Sequence, residues 1–261
     1  MALFRVATFN VNSIRSRMPA VTRWLNDNRV DVLCLQETKV QDVEFDPEPF
    51  LRLGYSVVFR GQKATSGVAI ASLEPLSEVR IGFSDGEEPE DGPRLIRGRL
   101  GGLFLINTYV PQGKALDHPD FAYKLRFFRR MRALLERECS PEEPVLWVGD
   151  LNVAPTDIDV THPENKRDHV CFHEDVKRAF EAVLGWGLVD VFRKHRPGEG
   201  EFSFFDYRVK DSLARNIGWR IDHVLATKCL ADASVDCWVD RLPRSWEKPS
   251  DHTPVVAVFD R

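Results

Sequence analysis

VLWVGDLN, residues 145–152, is the stretch that decides the fold, because four apolar residues lead through a glycine into Asp150 and Asn152. The same layout, in which an apolar run meets polar side chains, recurs in VLCLQET (32–38) and, in reverse order, in SDHTPVVAV (250–258). Short apolar runs bounded by polar residues are typical of buried strands, and polar groups at strand ends can converge on one rim of a sheet. Carboxylate and amide oxygens suit a hard divalent cation, and a nearby histidine suits the activation of water. The pattern indicates metal-assisted hydrolysis.

The sequence patterns predict eleven strands and three helices. The predicted strands are Phe4–Asn10, Val32–Glu37, Tyr55–Arg60, Gly67–Ser72, Leu95–Leu100, Leu103–Tyr109, Val145–Asp150, Phe202–Tyr207, Trp219–Thr227, Ala233–Val239 and Pro254–Phe259. The predicted helices are Met18–Asn28, Pro119–Glu138 and His173–Leu184. Eleven strands exceed what one open sheet usually holds, so two packed sheets with helices outside them are expected. Because no linker or repeat divides the chain, residues 1–261 are predicted to form a single α/β domain, a four-layer sandwich of two mixed β-sheets flanked by helices.

Charge and composition narrow the class of protein. The formal net charge is −4, which argues against a passive nucleic-acid coat but leaves room for an enzyme with a local basic track. The acidic stretch 85–91 is expected to be a solvated loop. The basic residues of the second predicted helix are expected on a solvated outer face, although contact with phosphate is an alternative: Lys124, Arg126, Arg129, Arg130 and Arg132.

The cysteines and the chain start indicate a cytoplasmic protein. The five cysteines are odd in number and include no Cys-x-x-Cys pair, so neither a disulfide framework nor a zinc ribbon is expected. Cys34, inside an apolar run, is predicted to be a buried small hydrophobe. No apolar stretch approaches the roughly 20 residues that span a membrane, and the start lacks the layout of a secretory signal.

Three polar groups at strand ends are candidates for the site. Asp150 and Asn152 are two residues apart, so strand alternation would turn both side chains towards one small volume, although a turn that simply ends the strand explains this pair equally well. Asn10 and Asn12 repeat the spacing more weakly. Glu37 is a stronger candidate, because a carboxylate directly after a buried strand is unfavourable unless it is solvated, paired or bound to a metal.

A histidine near the C-terminus is the candidate for handling water. Asp251 and His252 are adjacent and would point oppositely in a strand, so His252 needs another carboxylate to fix its tautomer, and Asp222 is the obvious one. The other six histidines are assigned structural roles. Tyr109 at a strand end is a weak candidate for a phosphate contact, and core packing is the favoured interpretation, from pattern alone, for a last group: Phe204, Trp219 and Ile221.

Taken in chain order, these residues resemble the exonuclease III family of abasic-site endonucleases, within the wider endonuclease/exonuclease/phosphatase superfamily. The resemblance covers nearly the whole chain, and it rests on TFNVNSIR (8–15), LQETK (35–39), GQK (61–63), SGVAI (66–70), NTYVPQG (107–113), GDLNVAPTDID (149–159), FSFFDYR (202–208), GWRID (218–222) and SDHTP (250–254). Other branches of the superfamily share the Asn, Glu, Asp-x-Asn and Ser-Asp-His elements but do not usually share the VPQG, FDYR and WRID strings together.

The resemblance implies a Mg²⁺-dependent DNA-repair phosphodiesterase, with Mn²⁺ as a possible substitute metal. Its implied substrate is double-stranded DNA with abasic sites, cut on their 5′ side, or with blocked 3′ ends, and some 3′→5′ exonuclease action is expected. The implied protein is a monomer without a membrane partner. A phosphatase acting on small or lipid substrates, and an inert DNA-binding module, are the alternatives.

The resemblance also assigns roles to individual residues. The metal ligand is Glu37, assisted by Asn12 and by Asp251 and Asn10, and the catalytic residues are Asp150, Asn152, Tyr109 and the Asp222–His252 pair. Whether Asp150 or His252 handles the proton of water is left open. An apolar pocket for a sugar without its base is implied at Phe204, Trp219 and Ile221, and DNA contacts are implied at Arg15, Lys63, Lys114 and Arg208. Asn12, where other branches carry Asp, and the bulky Trp219 are departures that affect metal affinity and the balance of activities.

Overall fold

Two six-stranded β-sheets pack face to face in the computed structural model, which describes residues 3–260. The first sheet has the strand order β11-β12-β1-β2-β4-β3, and the second has the order β5-β6-β7-β8-β10-β9. The strands are β1 (Leu3–Asn10), β2 (Val32–Gln36), β3 (Ser56–Gln62), β4 (Ser66–Ser72), β5 (Ser77–Ile81), β6 (Leu95–Leu100), β7 (Leu103–Tyr109), β8 (Val145–Asp150), β9 (Leu188–Asp190), β10 (Asp222–Thr227), β11 (Ser234–Val239) and β12 (Val255–Asp260).

Helices pack on the outer faces of the two sheets, and the last two helices contribute side chains to the core between the sheets. The helices are α1 (Ile14–Asn28), α2 (Glu48–Arg52), α3 (Pro119–Glu138), α4 (Glu174–Leu184), α5 (Val191–His195) and α6 (Lys228–Asp232). Successive strand residues point to opposite faces, so Val148 packs between the two sheets whereas Trp147 packs in the core formed with α3 and α4. On the outside of the first sheet, Leu33 shares a third core with Trp24 of α1. The predicted four-layer α/β sandwich is confirmed.

The structure differs from the sequence-based prediction in several elements. Residues 202–207 do not form a strand, because Phe204 makes only isolated bridges, to Trp219 and His252. The predicted strand Trp219–Thr227 begins only at Asp222. The short strands β5 and β9 and the short helices α2, α5 and α6 were not predicted, because five residues or fewer carry too little periodicity to identify.

The strand directions bring selected ends to one rim. β1 and β2 are parallel, as are β7 and β8, so the carboxyl ends of each pair lie side by side. β12 is antiparallel to β1 and β10 is antiparallel to β8, so these two strands begin where their neighbours end. Asp222, the first residue of β10, is the register partner of Asp150, the last residue of β8. The edge shared by these ends and starts is called the rim below.

The acidic stretch 85–91 is a loop whose residues 86–90 are exposed, as predicted, but Asp85 and Asp91 at its two ends pair with Arg130 of α3. Arg130 donates to Asp85 Oδ1 at 2.7 Å and to Asp91 Oδ2 at 3.0 Å, and Asp91 is buried. The prediction of a solvated face is wrong for Arg130 and Lys124, because Arg130 is buried against this loop and Lys124 is fully buried on the apolar side of α3. The carboxylates of the loop and Arg130 of α3 neutralise each other, although they lie far apart in the sequence.

Two further expectations concern the cysteines and the presence of membrane-spanning segments. All five cysteines are free, and Cys34 is buried as predicted. Among residues 3–260, no helix has both the length and the apolar character needed to cross a membrane.

Candidate active site

Carboxylates from both sheets meet a histidine at the rim. One ligand atom each of Glu37, Asp150 and His252 lies within 4.8 Å of the other two. These residues line a cavity of about 480 Å³ at the rim. All but two of the predicted catalytic, metal and pocket residues line this cavity, and the two exceptions, Asn10 and Asp222, lie directly behind it: Asn12, Glu37, Tyr109, Asp150, Asn152, Phe204, Trp219, Ile221, Asp251 and His252.

Three residues of the rim have left-handed backbones. The φ angles are 43° for Asn12, 52° for Glu37 and 50° for Asn152. Such angles are uncommon outside glycine, and they concentrate at functional sites, where surrounding contacts enforce them. Asn12 and Asn152 lie beyond the ends of β1 and β8, so their side chains reach the cavity through this backbone turn and not through the strand alternation expected from sequence.

Asn10 joins the two carboxylates that the sequence placed at separate strand ends. Its fully buried amide nitrogen donates to Glu37 Oε1 at 2.8 Å and to Asp150 Oδ2 at 2.8 Å. Its Oδ1 accepts from the backbone N–H of Asn12 at 3.0 Å. Because both ends of this amide are engaged, Asn10 links the two carboxylates of the rim, and its part in holding a metal stays a prediction.

Lys39, which the sequence interpretation did not select, provides a positive charge at the candidate metal site. Its ammonium contacts Glu37 Oε2 at 2.6 Å and donates to Asn12 Oδ1 at 2.6 Å. Burial alone would raise the pKa of Glu37, but Lys39 and the Asn10 hydrogen bond lower it. Asn12 Nδ2 in turn donates to Asp251 Oδ1 at 2.9 Å. Two oxygens thus already converge on one cation, as the donor set of a hard divalent metal requires.

His252 is held by a buried carboxylate. Its Nδ1 lies 2.8 Å from Asp222 Oδ2, and Ser203 Oγ donates to the same oxygen at 2.6 Å. On the other side, Nε2 lies 3.8 Å from Asp150 Oδ2. Burial alone would lower the pKa of His252, but Asp222 and Asp150 raise it to about 10. Burial, with Asp222 and Glu37, raises the pKa of Asp150 to about 7 against the opposing charge of His252.

Tyr109 ends β7 beside these carboxylates. Burial raises its pKa well above the ordinary value, and the charges of Glu37 and Asp150 raise it further. The guanidinium of Arg94 lies 4.9 Å from the centre of its ring. The Tyr109 hydroxyl therefore keeps its proton and remains a hydrogen-bond donor at neutral pH.

Aromatic rings form one wall of the cavity. Phe204 and Trp219 pair through an isolated bridge, and Ile221 lies two residues further along. The ring of His169 lies 4.6 Å from that of Trp219, so one of the six histidines assigned structural roles in fact lines the cavity. Burial, with the charges of Lys124 and Lys166, lowers the pKa of His169 to about 4. His169 is therefore a neutral ring in this wall, and no local sequence signal distinguishes it.

The predicted DNA-contacting residues are more scattered. Arg208 lines the cavity and pairs with Asp206. Arg15 pairs with Glu44 at 2.7 Å, and Lys114 pairs with Asp120 at 2.8 Å, both outside the lining of the cavity. Lys63 is exposed in the turn between β3 and β4. Their contacts with DNA stay predictions.

Known proteins are similar to this chain along nearly its whole length. The Endonuclease/Exonuclease/phosphatase family matches residues 7–252. Exodeoxyribonuclease III of Haemophilus influenzae is 37% identical, over 97% of this chain and 98% of that protein. The structure of an AP endonuclease from Archaeoglobus fulgidus is 50% identical with a TM-score of 0.96, covering 99% of this chain and 100% of that chain. The 3′-5′ exonuclease NExo from Neisseria meningitidis is 34% identical with a TM-score of 0.95, again covering 99% and 100%. The chain therefore belongs to the Endonuclease/Exonuclease/phosphatase family.

Proposed function

We propose that this protein is a Mg²⁺-dependent DNA-repair phosphodiesterase that cuts the backbone on the 5′ side of abasic sites and leaves a 3′-hydroxyl. The same site would trim blocked 3′ ends and act as a 3′→5′ exonuclease on duplex DNA. The observation that carries the proposal is the meeting of Glu37, Asp150 and His252 beside a cavity with an aromatic wall. The similarity to an exodeoxyribonuclease III, an AP endonuclease and a 3′-5′ exonuclease supports it.

Glu37, Asn12 and Asp251 are the residues that would hold the metal. Their oxygens suit Mg²⁺, with Mn²⁺ as a substitute, because both are hard cations that prefer carboxylate and amide oxygens. Two oxygens of this set, Glu37 Oε2 and Asn12 Oδ1, contact one positive charge, the ammonium of Lys39, and this arrangement supports the assignment. The cation, when bound, polarises a phosphoryl oxygen and stabilises the negative charge on the leaving 3′-oxygen.

Asp150 and His252 have separate roles: Asp150 acts on the attacking water, and His252 acts on the phosphate. Because burial and the neighbouring carboxylates raise its pKa, Asp150 is a stronger base than an ordinary aspartate and suits the proton of the attacking water near neutral pH. With a pKa of about 10, His252 carries a positive charge at that pH. It is therefore better suited to bind a phosphate oxygen than to accept a proton from water. Asp222 fixes the orientation of the His252 ring through the bond at Nδ1.

Tyr109 and Asn152 complete the contacts with the phosphate. Tyr109 keeps its hydroxyl proton for donation to a phosphate oxygen, because burial and two carboxylates oppose its ionisation. Asn152 adds a neutral amide at the rim, so it positions oxygen atoms without further negative charge. Donors fixed before the substrate arrives stabilise developing charge without reorganisation.

The aromatic wall supports the proposed selection for an abasic sugar. A slot between Phe204, Trp219 and Ile221 can accept a bare deoxyribose and exclude one that carries a base. An abasic nucleotide also loses little stacking when it leaves the duplex, so it is the easiest nucleotide to extrude. The substrate of this protein would be double-stranded DNA. We also propose that the protein acts as a monomer. The five free cysteines fit a cytoplasmic location, where thiols stay reduced.

Cleavage of a labelled duplex with one tetrahydrofuran residue tests the proposal. We expect a single cut 5′ to the lesion in Mg²⁺ and none in EDTA, and a polymerase should extend the new 3′ end. Asp150→Asn should abolish the cut, whereas Asp232→Asn, which changes a surface carboxylate paired with Lys228, should not. An intact duplex after incubation in Mg²⁺, together with phosphate release from inositol phosphates, would refute the proposal.

A further inference from the structure

Lys124 is a fully buried lysine beneath the candidate active site. It projects from the apolar side of α3, which also carries Phe121 and Phe128. Among residues 3–260, no carboxylate lies within 4.0 Å of its ammonium, so an ion pair does not explain its burial. A buried ammonium is strongly unfavourable unless hydrogen bonds satisfy it.

Three backbone carbonyls satisfy this ammonium. Lys124 Nζ donates to Gln112 O at 3.1 Å, to Asn152 O at 2.5 Å and to Val170 O at 2.7 Å. An ammonium has three N–H donors, so its hydrogen-bonding capacity is used in full. The aliphatic part of the side chain lies under Gly113, where an added Cβ would meet Lys124 Cδ at 3.4 Å.

The three carbonyls belong to three separate segments that line the cavity. Gln112 follows β7 and Asn152 follows β8, and both line the cavity. Val170 lies between His169 and Cys171, which also line it. One buried charge therefore ties together the loop after β7, the loop after β8 and the segment that carries the aromatic His169.

Asn152 depends most on this arrangement. Its left-handed backbone, with φ of 50°, is held by an N–H bond to Asp150 Oδ1 at 3.0 Å and by its side-chain Nδ2, which donates to Val110 O at 3.0 Å. The Lys124 bond to its carbonyl is the shortest of the three contacts. Strained backbones persist only where several contacts over-determine them, and here Lys124 supplies the contact on the carbonyl side.

We propose that Lys124 is a positioning residue for phosphodiester cleavage, acting through Asn152 by holding its carbonyl and the two neighbouring loops. The inference rests on the proposed function and adds to it a residue that never touches the substrate. Without the ammonium, three carbonyls lose this donor, those of Asn152 and Val170 at buried contacts, and the left-handed turn at Asn152 relaxes. A displacement of about 1 Å in a catalytic group can reduce the rate about 10²-fold.

The test compares Lys124→Met with Lys194→Met on the tetrahydrofuran duplex. Lys194 is the control, because its ammonium also binds a backbone carbonyl, that of Ala231, and the hydroxyl of Ser234, but the residue is exposed and does not line the cavity. We expect K124M to lower kcat about 10²-fold with KM changed little, and K194M to keep kcat within about threefold. Lys124→Gln, which keeps an amide donor, should fall between the wild type and K124M.

A double-mutant cycle with Asn152→Ala separates positioning from a general structural role. If Lys124 acts through Asn152, the double variant should be no slower than N152A alone, within about threefold. Losses that multiply would overturn the inference, and so would a K124M variant with wild-type kcat. If K124M does not fold, as judged by its thermal unfolding, K124Q takes its place in the cycle and the same two outcomes decide. A wild-type protein that leaves the duplex intact would instead refute the proposed function.

Discussion

Replacing Asp159 with asparagine should destabilise the protein by breaking a buried charge network next to the cavity wall. Asp159 is fully buried, and its Oδ1 accepts from Arg220 Nε at 2.6 Å and from Arg193. Arg220 lies between Trp219 and Ile221 in the sequence, so its ion pair with Asp159 anchors the cavity wall. The other carboxylate oxygen of Asp159, Oδ2, accepts from the N–H of Thr156 at 2.9 Å.

The expected loss is large because the guanidinium partner is also buried. Removing one partner of a buried pair costs about 3–5 kcal/mol, and the low end, about 3 kcal/mol, is expected because Arg220 keeps Asp190 at 2.8 Å and asparagine keeps one acceptor oxygen. For a domain of this size, that loss lowers the unfolding midpoint by about 6–12 °C. Asp157→Asn is the control, since Asp157 lies two residues away and pairs with Arg167 on the surface. Its midpoint should change by no more than about 3 °C.

The stability difference between wild type and this variant should depend on pH. Burial alone would raise the pKa of Asp159, but Arg220 and Arg193 hold it below its ordinary value. A lowered folded-state pKa contributes stability that is complete above about pH 4, the unfolded value, and is lost as the pH falls through the folded value. The midpoint difference between wild type and D159N, measured by circular dichroism, should therefore be full at pH 7 and shrink in acid. Equal midpoints at pH 7, or a larger loss in D157N, would refute this reasoning.

Three other variants probe the site. Asp222→Asn should lower the pKa of His252 from about 10, move the alkaline limb of the pH–rate profile to lower pH and reduce kcat by about 10²–10⁴-fold; an unchanged profile would exclude the pairing as a source of the charge. Trp219→Ala should reduce the preference for abasic over intact duplex about tenfold or more, measured as a ratio of kcat/KM values; an unaltered ratio would remove Trp219 from the selection. Arg208→Ala should reduce the slope of log Kd against log salt by about 1 if it contacts one phosphate, and an equal slope would exclude that contact.

The sequence predicted the rim because its residues follow directly from strand patterning. Glu37 and Asp150 adjoin buried apolar runs, and carboxylates there are unfavourable without a partner, so each could be recognised locally. The Asp222–His252 pair was predicted from the need of a buried imidazole for an orienting carboxylate, and the two atoms lie 2.8 Å apart. The two-sheet architecture followed from the number of strand signals.

The remaining features depend on contacts between distant segments. Lys39, Lys124 and His169 have no local signal, since a lysine or histidine on an amphipathic segment usually faces solvent. Lys124 is buried because carbonyls 12, 28 and 46 residues away converge on it. Phe204 was assigned to a strand because its neighbours are aromatic, but it pairs only at single positions.

The metal dependence of single-turnover cleavage is the most direct test of the claim that this rim is a metal-assisted phosphodiesterase site. The rate constant on the tetrahydrofuran duplex should be measured against Mg²⁺ concentration for wild type and for Glu37→Gln. The wild-type rate should rise from zero in EDTA to a plateau, and the variant should need at least about tenfold more Mg²⁺ and reach a lower plateau. Superimposable curves for the two proteins, or a wild-type rate that persists in EDTA, would contradict the claim.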